Sequence, residues 1–160
     1  MKILIIGYGN DSRNDDGAGW RVLERLEDLR LRGVELLTAH QLEVDVAETI
    51  RDYDTVIFVD AAIPESPHAV TRSVVKPDLQ SHAVAHYLTP ADVLALCRTL
   101  YGVEPKGMLY SIRGHDFNFG ETLSPETALG VDEVVREIRQ LVAILQRGGG
   151  VASAVEESNA

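Results

Sequence analysis

The sequence predicts an α/β sandwich, a largely parallel sheet with helices on both faces. Short apolar runs alternate with longer stretches whose apolar residues recur at helical spacing, the order produced when crossover helices link parallel strands. Residues 2–7 and 55–59 are, after Lys2 and Thr55, apolar without alternation, as strands covered on both faces are. The chain has 160 residues, 45% of them apolar. That is enough for one well-formed core and too little for two full domains.

The elements follow in order. Residues 2–7 are rich in isoleucine and too short for a helix, so they read as a buried parallel strand. A polar loop over residues 9–14 leads to Trp20, Val22, Leu23, Leu26 and Leu29, which recur at helical spacing and predict a helix to about Arg32, stopped by Gly33. A second strand is expected from Val34 to Ala39. Val44, Val46, Ala47 and Ile50 mark a helix from about Leu42 to Arg51. Residues 55–59, almost all β-branched or aromatic, make the clearest strand, and Asp60 ends it. From 61 to 90 the pattern loosens at Pro64, Pro67, Pro77 and Pro90, and only 69–75 reads as a strand; a long variable region of this kind is a natural place for function. Pro90 opens a helix through Val93, Leu94, Leu96, Cys97, Leu100 and Tyr101, terminated by Gly102. A fifth strand covers 108–112. Ser124, Pro125 and Glu126 start a last helix, with Val131, Val134, Val135, Ile138, Leu141, Val142 and Leu145 on one face. Residues 1–147 are therefore expected to form a single domain. The tail, 148–160, has nothing to bury and is expected to be disordered.

Composition removes several classes of function. The formal charge is −10, and no basic cluster offers a surface to nucleic acid or to an anionic membrane. No apolar run approaches the roughly 20 residues that span a bilayer. The N-terminal apolar stretch has no small-residue cleavage site behind it, so a soluble, unprocessed, cytoplasmic start is expected. The lone cysteine, Cys97, suits a reducing compartment and leaves any metal to histidine and carboxylates. It falls on the apolar face of a helix and reads as an inert core thiol.

In such a sheet ligands collect beyond the carboxyl ends of the strands. The turn Gly7-Tyr8-Gly9-Asn10-Asp11-Ser12 begins like a dinucleotide fingerprint. Ser12 replaces its third glycine, the loop is too long, and Asp11, Asp15 and Asp16 would repel a pyrophosphate. Asp15 and Asp16 open the first helix, where either capping or ligand binding would use them. Gly17 and Gly19 each cost that helix about 1 kcal/mol relative to alanine, which points to a need for backbone room beside the acids. Asp60, on the same edge, needs a partner to be tolerated at the end of a buried strand. His82 and His86 precede the Pro90 helix, and either could meet the two carboxylates. Two oxygen donors and one imidazole would make an open shell for a divalent metal. There is no His-Glu-x-x-His helix and no Gly-x-Ser-x-Gly elbow.

The residues Gly7-Tyr8-Gly9-Asn10 through Asn14-Asp15-Asp16-Gly17-Ala18-Gly19, then His40-Gln41-Leu42 and Val56-Ile57-Phe58-Val59-Asp60-Ala61, resemble the nickel-iron hydrogenase maturation endopeptidases. The resemblance continues through His86-Tyr87-Leu88-Thr89-Pro90 and through Gly114-His115-Asp116 with Leu123-Ser124-Pro125, covering roughly residues 2–145. It implies a five-stranded twisted sheet in a three-layer, phosphorylase/hydrolase-like sandwich. It also implies a monomeric metal-dependent endopeptidase that removes the C-terminal extension of the hydrogenase large-subunit precursor. By motif position the implied metal and catalytic residues are Asp16, Asp60 and His86, with His82 as runner-up to His86. Many members carry glutamate at the first position, so the shorter Asp16 demands a closer backbone approach. The implied metal is nickel carried by the substrate, which acts as a checkpoint for loading. The stretch 114–121 is a candidate wall of the cleft. The alternative readings are a non-catalytic metal-binding accessory that shares these ligands without hydrolysis, and a nucleotide-binding regulatory module that rests on the first turn alone.

Overall fold

The computed structural model describes residues 1–79 and 87–150. Its elements are β1 (Ile3–Tyr8), a 3-10 turn (Asn14–Gly17), α1 (Ala18–Glu27), β2 (Val34–Ala39), α2 (Val44–Ile50), β3 (Thr55–Ala62), β4 (Val70–Val75), α3 (Pro90–Tyr101), β5 (Lys106–Arg113) and α4 (Pro125–Gln146). The five strands form one sheet in the order β2-β1-β3-β5-β4. All neighbours are parallel except β4, which runs antiparallel to β5 at the edge.

Alternation along the strands sorts the core into two layers. Ile3, Ile5, Ile57, Val59, Tyr110 and Ile112 face one way and meet Val22 and Leu26 of α1 and Val134 and Ile138 of α4. Leu4, Ile6, Val56 and Phe58 face the other way and meet Val46, Ala47 and Ile50 of α2 and Val93, Leu94 and Cys97 of α3. Each large aliphatic side chain so buried contributes about 1.5–3 kcal/mol, so the two layers outweigh any local preference. Cys97 is fully buried and burial pushes its thiol pKa up, as an inert core position requires.

Helix α3 starts where its sequence says it should. The Thr89 hydroxyl accepts the Asp92 N–H at 3.1 Å, the Asp92 carboxylate accepts the Thr89 N–H at 2.9 Å, and Pro90 occupies the first turn. It stops at Gly102, whose φ of 69° is left-handed. No helix among the described residues is long and apolar enough to cross a membrane.

Several expected boundaries shift, among them β5, which spans Lys106–Arg113 rather than 108–112. Helix α1 ends at Glu27 rather than near Arg32, because the chain turns back through Leu29 and Arg30, whose φ is 47°. Leu29 is accordingly exposed despite its helical spacing. Helix α2 begins at Val44, not Leu42. Strand β3 continues past Asp60 to Ala62, held by its pairing with residues Ser111, Ile112 and Arg113 of β5. Residues 151–160, most of the expected tail, lie outside the described residues.

From β1 the chain passes through α1 to β2 on one side, whereas from β3 it proceeds to β4 and β5 on the other. The carboxyl ends of β1 and β3 therefore flank a topological switch point, where a crevice must open.

Candidate functional site

Asp60 lies on β3 at the switch point. Alternation after Val56 and Phe58 turns it to the α2/α3 face, and the register sets Ser111 of β5 directly beside it. The Ser111 hydroxyl donates to Oδ1 of Asp60, and the Tyr8 hydroxyl, from the end of β1, donates to Oδ2 at 2.7 Å. Burial pushes the Asp60 pKa up, and the neighbouring charge of Asp16 adds to the rise. The two hydroxyl donors oppose it without cancelling it. Burial and Asp60 together push the Tyr8 phenol far up, so it keeps its proton and remains a donor.

The two adjacent acids of the 3-10 turn part company. Asp15 is fully buried and accepts the N–H groups of His115, Asp116 and Ser124 at 2.8, 2.9 and 2.8 Å and the Ser124 hydroxyl at 2.7 Å. Burial alone would raise its pKa, but these bonds hold it below the ordinary carboxylate value. Asp15 thus holds a loop rather than a ligand. Asn14 assists: its Oδ1 accepts the Thr122 N–H and its Nδ2 donates to Asp116. Asp16, one residue on, is partly exposed and accepts the Asn10 N–H at 2.7 Å.

Glycines allow this compaction. A Cβ on Gly9, where φ is 139°, would lie 2.2 Å from the Asp16 carbonyl oxygen, and one on Gly19 would lie 2.4 Å from that of Val59. Gly19 thus lets the first turn of α1 rest directly on β3. The Gly9 and Asp16 backbones touch in the same way. The indole of Trp20 ties the rim, donating to the carbonyls of Gly9 at 2.9 Å and Ala39 at 3.2 Å.

Between these parts lies a cleft of about 220 Å³ lined by Tyr8, Gly9, Asp16, His40, Gln41, Leu42, Asp60, Ala61, Tyr87 and Leu88. Two carboxylates share it, and none of these lining residues is Lys or Arg. Such a pocket attracts a cation and is ill-suited to a pyrophosphate. Tyr87 and Leu88 enter its wall, with the Leu88 N–H 3.4 Å from the Leu42 carbonyl. His86 and His82 lie outside the described residues. Among the described residues no three His, Cys, Asp or Glu side chains are grouped to hold a metal.

Asp16 and Asp60, singled out from the sequence, therefore come together in one cleft. Residues 114–121 are not among the cleft's lining residues; they pack on the 13–16 segment through Asp15, Asn14 and the bond from Arg13 Nε to the Phe117 carbonyl. Tyr8, Ser111, Trp20 and His40 are parts of the site that sequence reasoning gave no role. A strand β1 extended by one residue, with Tyr8 on the face of Leu4 and Ile6, was the available signal for the first.

No protein-family model matches the chain, and no curated protein matches it by sequence. Solved structures do. The hydrogenase maturating endopeptidase HybD from E. coli superimposes with a TM-score of 0.69 at 22% identity, over 92% of this chain and 94% of that one. The [NiFe] hydrogenase maturation protease HybD from Thermococcus kodakarensis gives 0.68 at 20% identity, over 89% and 99%. An endopeptidase from Escherichia coli gives 0.71 at 23%, over 93% and 95%. The chain thus has the α/β fold of the hydrogenase maturation proteases.

Proposed function

We propose that the protein is an endopeptidase that removes the C-terminal extension of the nickel-loaded large-subunit precursor of a nickel-iron hydrogenase. The observation that carries this reading is the pair Asp16 and Asp60 in one cation-attracting cleft at the carboxyl edge of this fold. The fold it shares with proteins described as hydrogenase maturation proteases supports the reaction class. On this reading residues 1–147 work as one domain, acting as a monomer in the cytoplasm.

The donor set suits a metal that arrives with the substrate. Asp16 and Asp60 offer oxygen, and His86, which immediately precedes the cleft residue Tyr87, supplies the third donor as an imidazole nitrogen. Nickel in the precursor is held by the substrate and completed by these residues, so an unloaded precursor lacks the feature that docks it. Its Lewis acidity polarises the scissile carbonyl or the attacking water. Asp16, which is partly exposed, takes a proton from that water. The hydroxyl adds to the carbonyl carbon, the C–N bond breaks, and the leaving amine takes up a proton.

The test is incubation with nickel-loaded precursor, read by mass spectrometry at the C-terminus. The wild type removes the extension, and Asp16→Ala, Asp60→Ala and His86→Ala do not. A precursor that binds but keeps its mass would make the protein a metal-binding accessory instead.

A further inference from the structure

Asp60 is held from both sides by neutral donors. Tyr8 comes from β1 and Ser111 from β5, the two strands that flank β3, and each hydroxyl takes one carboxylate oxygen. A carboxylate oxygen has two acceptor positions, and among the described residues only one on each oxygen is taken. Asp15 is the contrast within the same molecule: four donors converge on it and it is sealed from solvent. A guanidinium or ammonium beside Asp60 would orient it equally well but would neutralise the charge that a cation needs. Hydroxyls fix the carboxylate plane and leave its charge in place. Groups of this kind around a ligand set its orientation and alter metal affinity about 10–100-fold when removed.

We propose that Tyr8 and Ser111 are positioning residues for Asp60, setting its carboxylate to receive the nickel of the substrate. This rests on the reading of Asp60 as a ligand. The experiment titrates nickel(II) alone into the isolated full-length protein and, separately, measures cleavage of nickel-loaded precursor, for wild type, Tyr8→Phe, Ser111→Ala, Ser111→Thr and Asp60→Asn. Tyr8→Phe and Ser111→Ala are each expected to weaken nickel binding about tenfold and to slow cleavage by a similar factor. Each loses one hydrogen bond to a carboxylate, so its melting temperature without metal should fall by a few degrees and the variant stay folded at the assay temperature. Ser111→Thr, which restores the hydroxyl, should recover both affinity and rate. Wild-type nickel affinity in both Tyr8→Phe and Ser111→Ala, or no recovery in Ser111→Thr, would overturn the positioning role while leaving Asp60 a ligand. Wild-type nickel affinity and cleavage in Asp60→Asn would overturn the parent reading and this one with it.

Discussion

Ser124 gives both its backbone N–H and its hydroxyl to the carboxylate of Asp15, at 2.8 and 2.7 Å, across 109 residues of chain. This contact decides which of two adjacent acids is structural. Asp15 binds the start of α4 and the turn at His115 and Asp116 to the loop after β1, and so frees Asp16 to face the cleft.

Replacing Asp15 with alanine strands these buried donors and is expected to cost about 3 kcal/mol in urea unfolding at pH 7. The pH dependence has a definite sign. The folded pKa lies below that of the unfolded chain, so the carboxylate's contribution is complete above about pH 4 and is lost as pH falls through the folded value. The gap between wild type and Asp15→Asn should therefore shrink as acid is added, and a gap constant down to pH 2 would contradict this role.

Gly19→Ala places a methyl 2.4 Å from the Val59 carbonyl oxygen, a backbone atom that cannot rotate away. Overpacking of this kind costs about 1–3 kcal/mol. A denaturant midpoint equal to wild type would mean that α1 does not rest on β3 as described. Ala18→Gly, in the same turn, removes a buried methyl as well as helix propensity and should cost about 1–2 kcal/mol without any overpacking.

Asp60 should show the opposite pH behaviour to Asp15. Its folded pKa is raised, so its ionisation costs stability in full above that value, and the cost is relieved as pH falls through it toward the unfolded one. Asp60→Asn is expected to be more stable than wild type by about 1 kcal/mol at pH 7, with the difference narrowing in acid, while precursor cleavage is lost. Thermal melts across pH, set beside a cleavage assay, check both halves. A less stable and fully active variant would remove Asp60 from the site.

Much of this was legible in the sequence. The unbroken apolar runs identified β1 and β3, and Pro90 and Gly102 bounded α3, because burial on two faces and the chemistry of helix ends leave local marks. Of the carboxylates of the cleft, Asp60 was visible as an acid ending a strand and Asp16 as one of two acids opening a helix. Their different fates were not, since Asp15 and Asp16 are neighbours and only the direction of a 3-10 turn separates a buried acid from an accessible one. The row Tyr8, Asp60, Ser111 was hidden for another reason. Alternation gives each residue its face, but only strand order and register make them neighbours. Asp60, Ala61 and Ala62 carry little strand preference of their own, and the extension of β3 through them comes from its pairing with β5.

The most direct measurement compares precursor with and without nickel. Wild-type protein is incubated with each under identical conditions, and the intact mass of the large subunit is followed over time. If Asp16, Asp60 and His86 read the metal carried by the substrate, the loaded precursor loses its C-terminal extension and the empty one keeps it. Equal processing of both would contradict recognition through the metal.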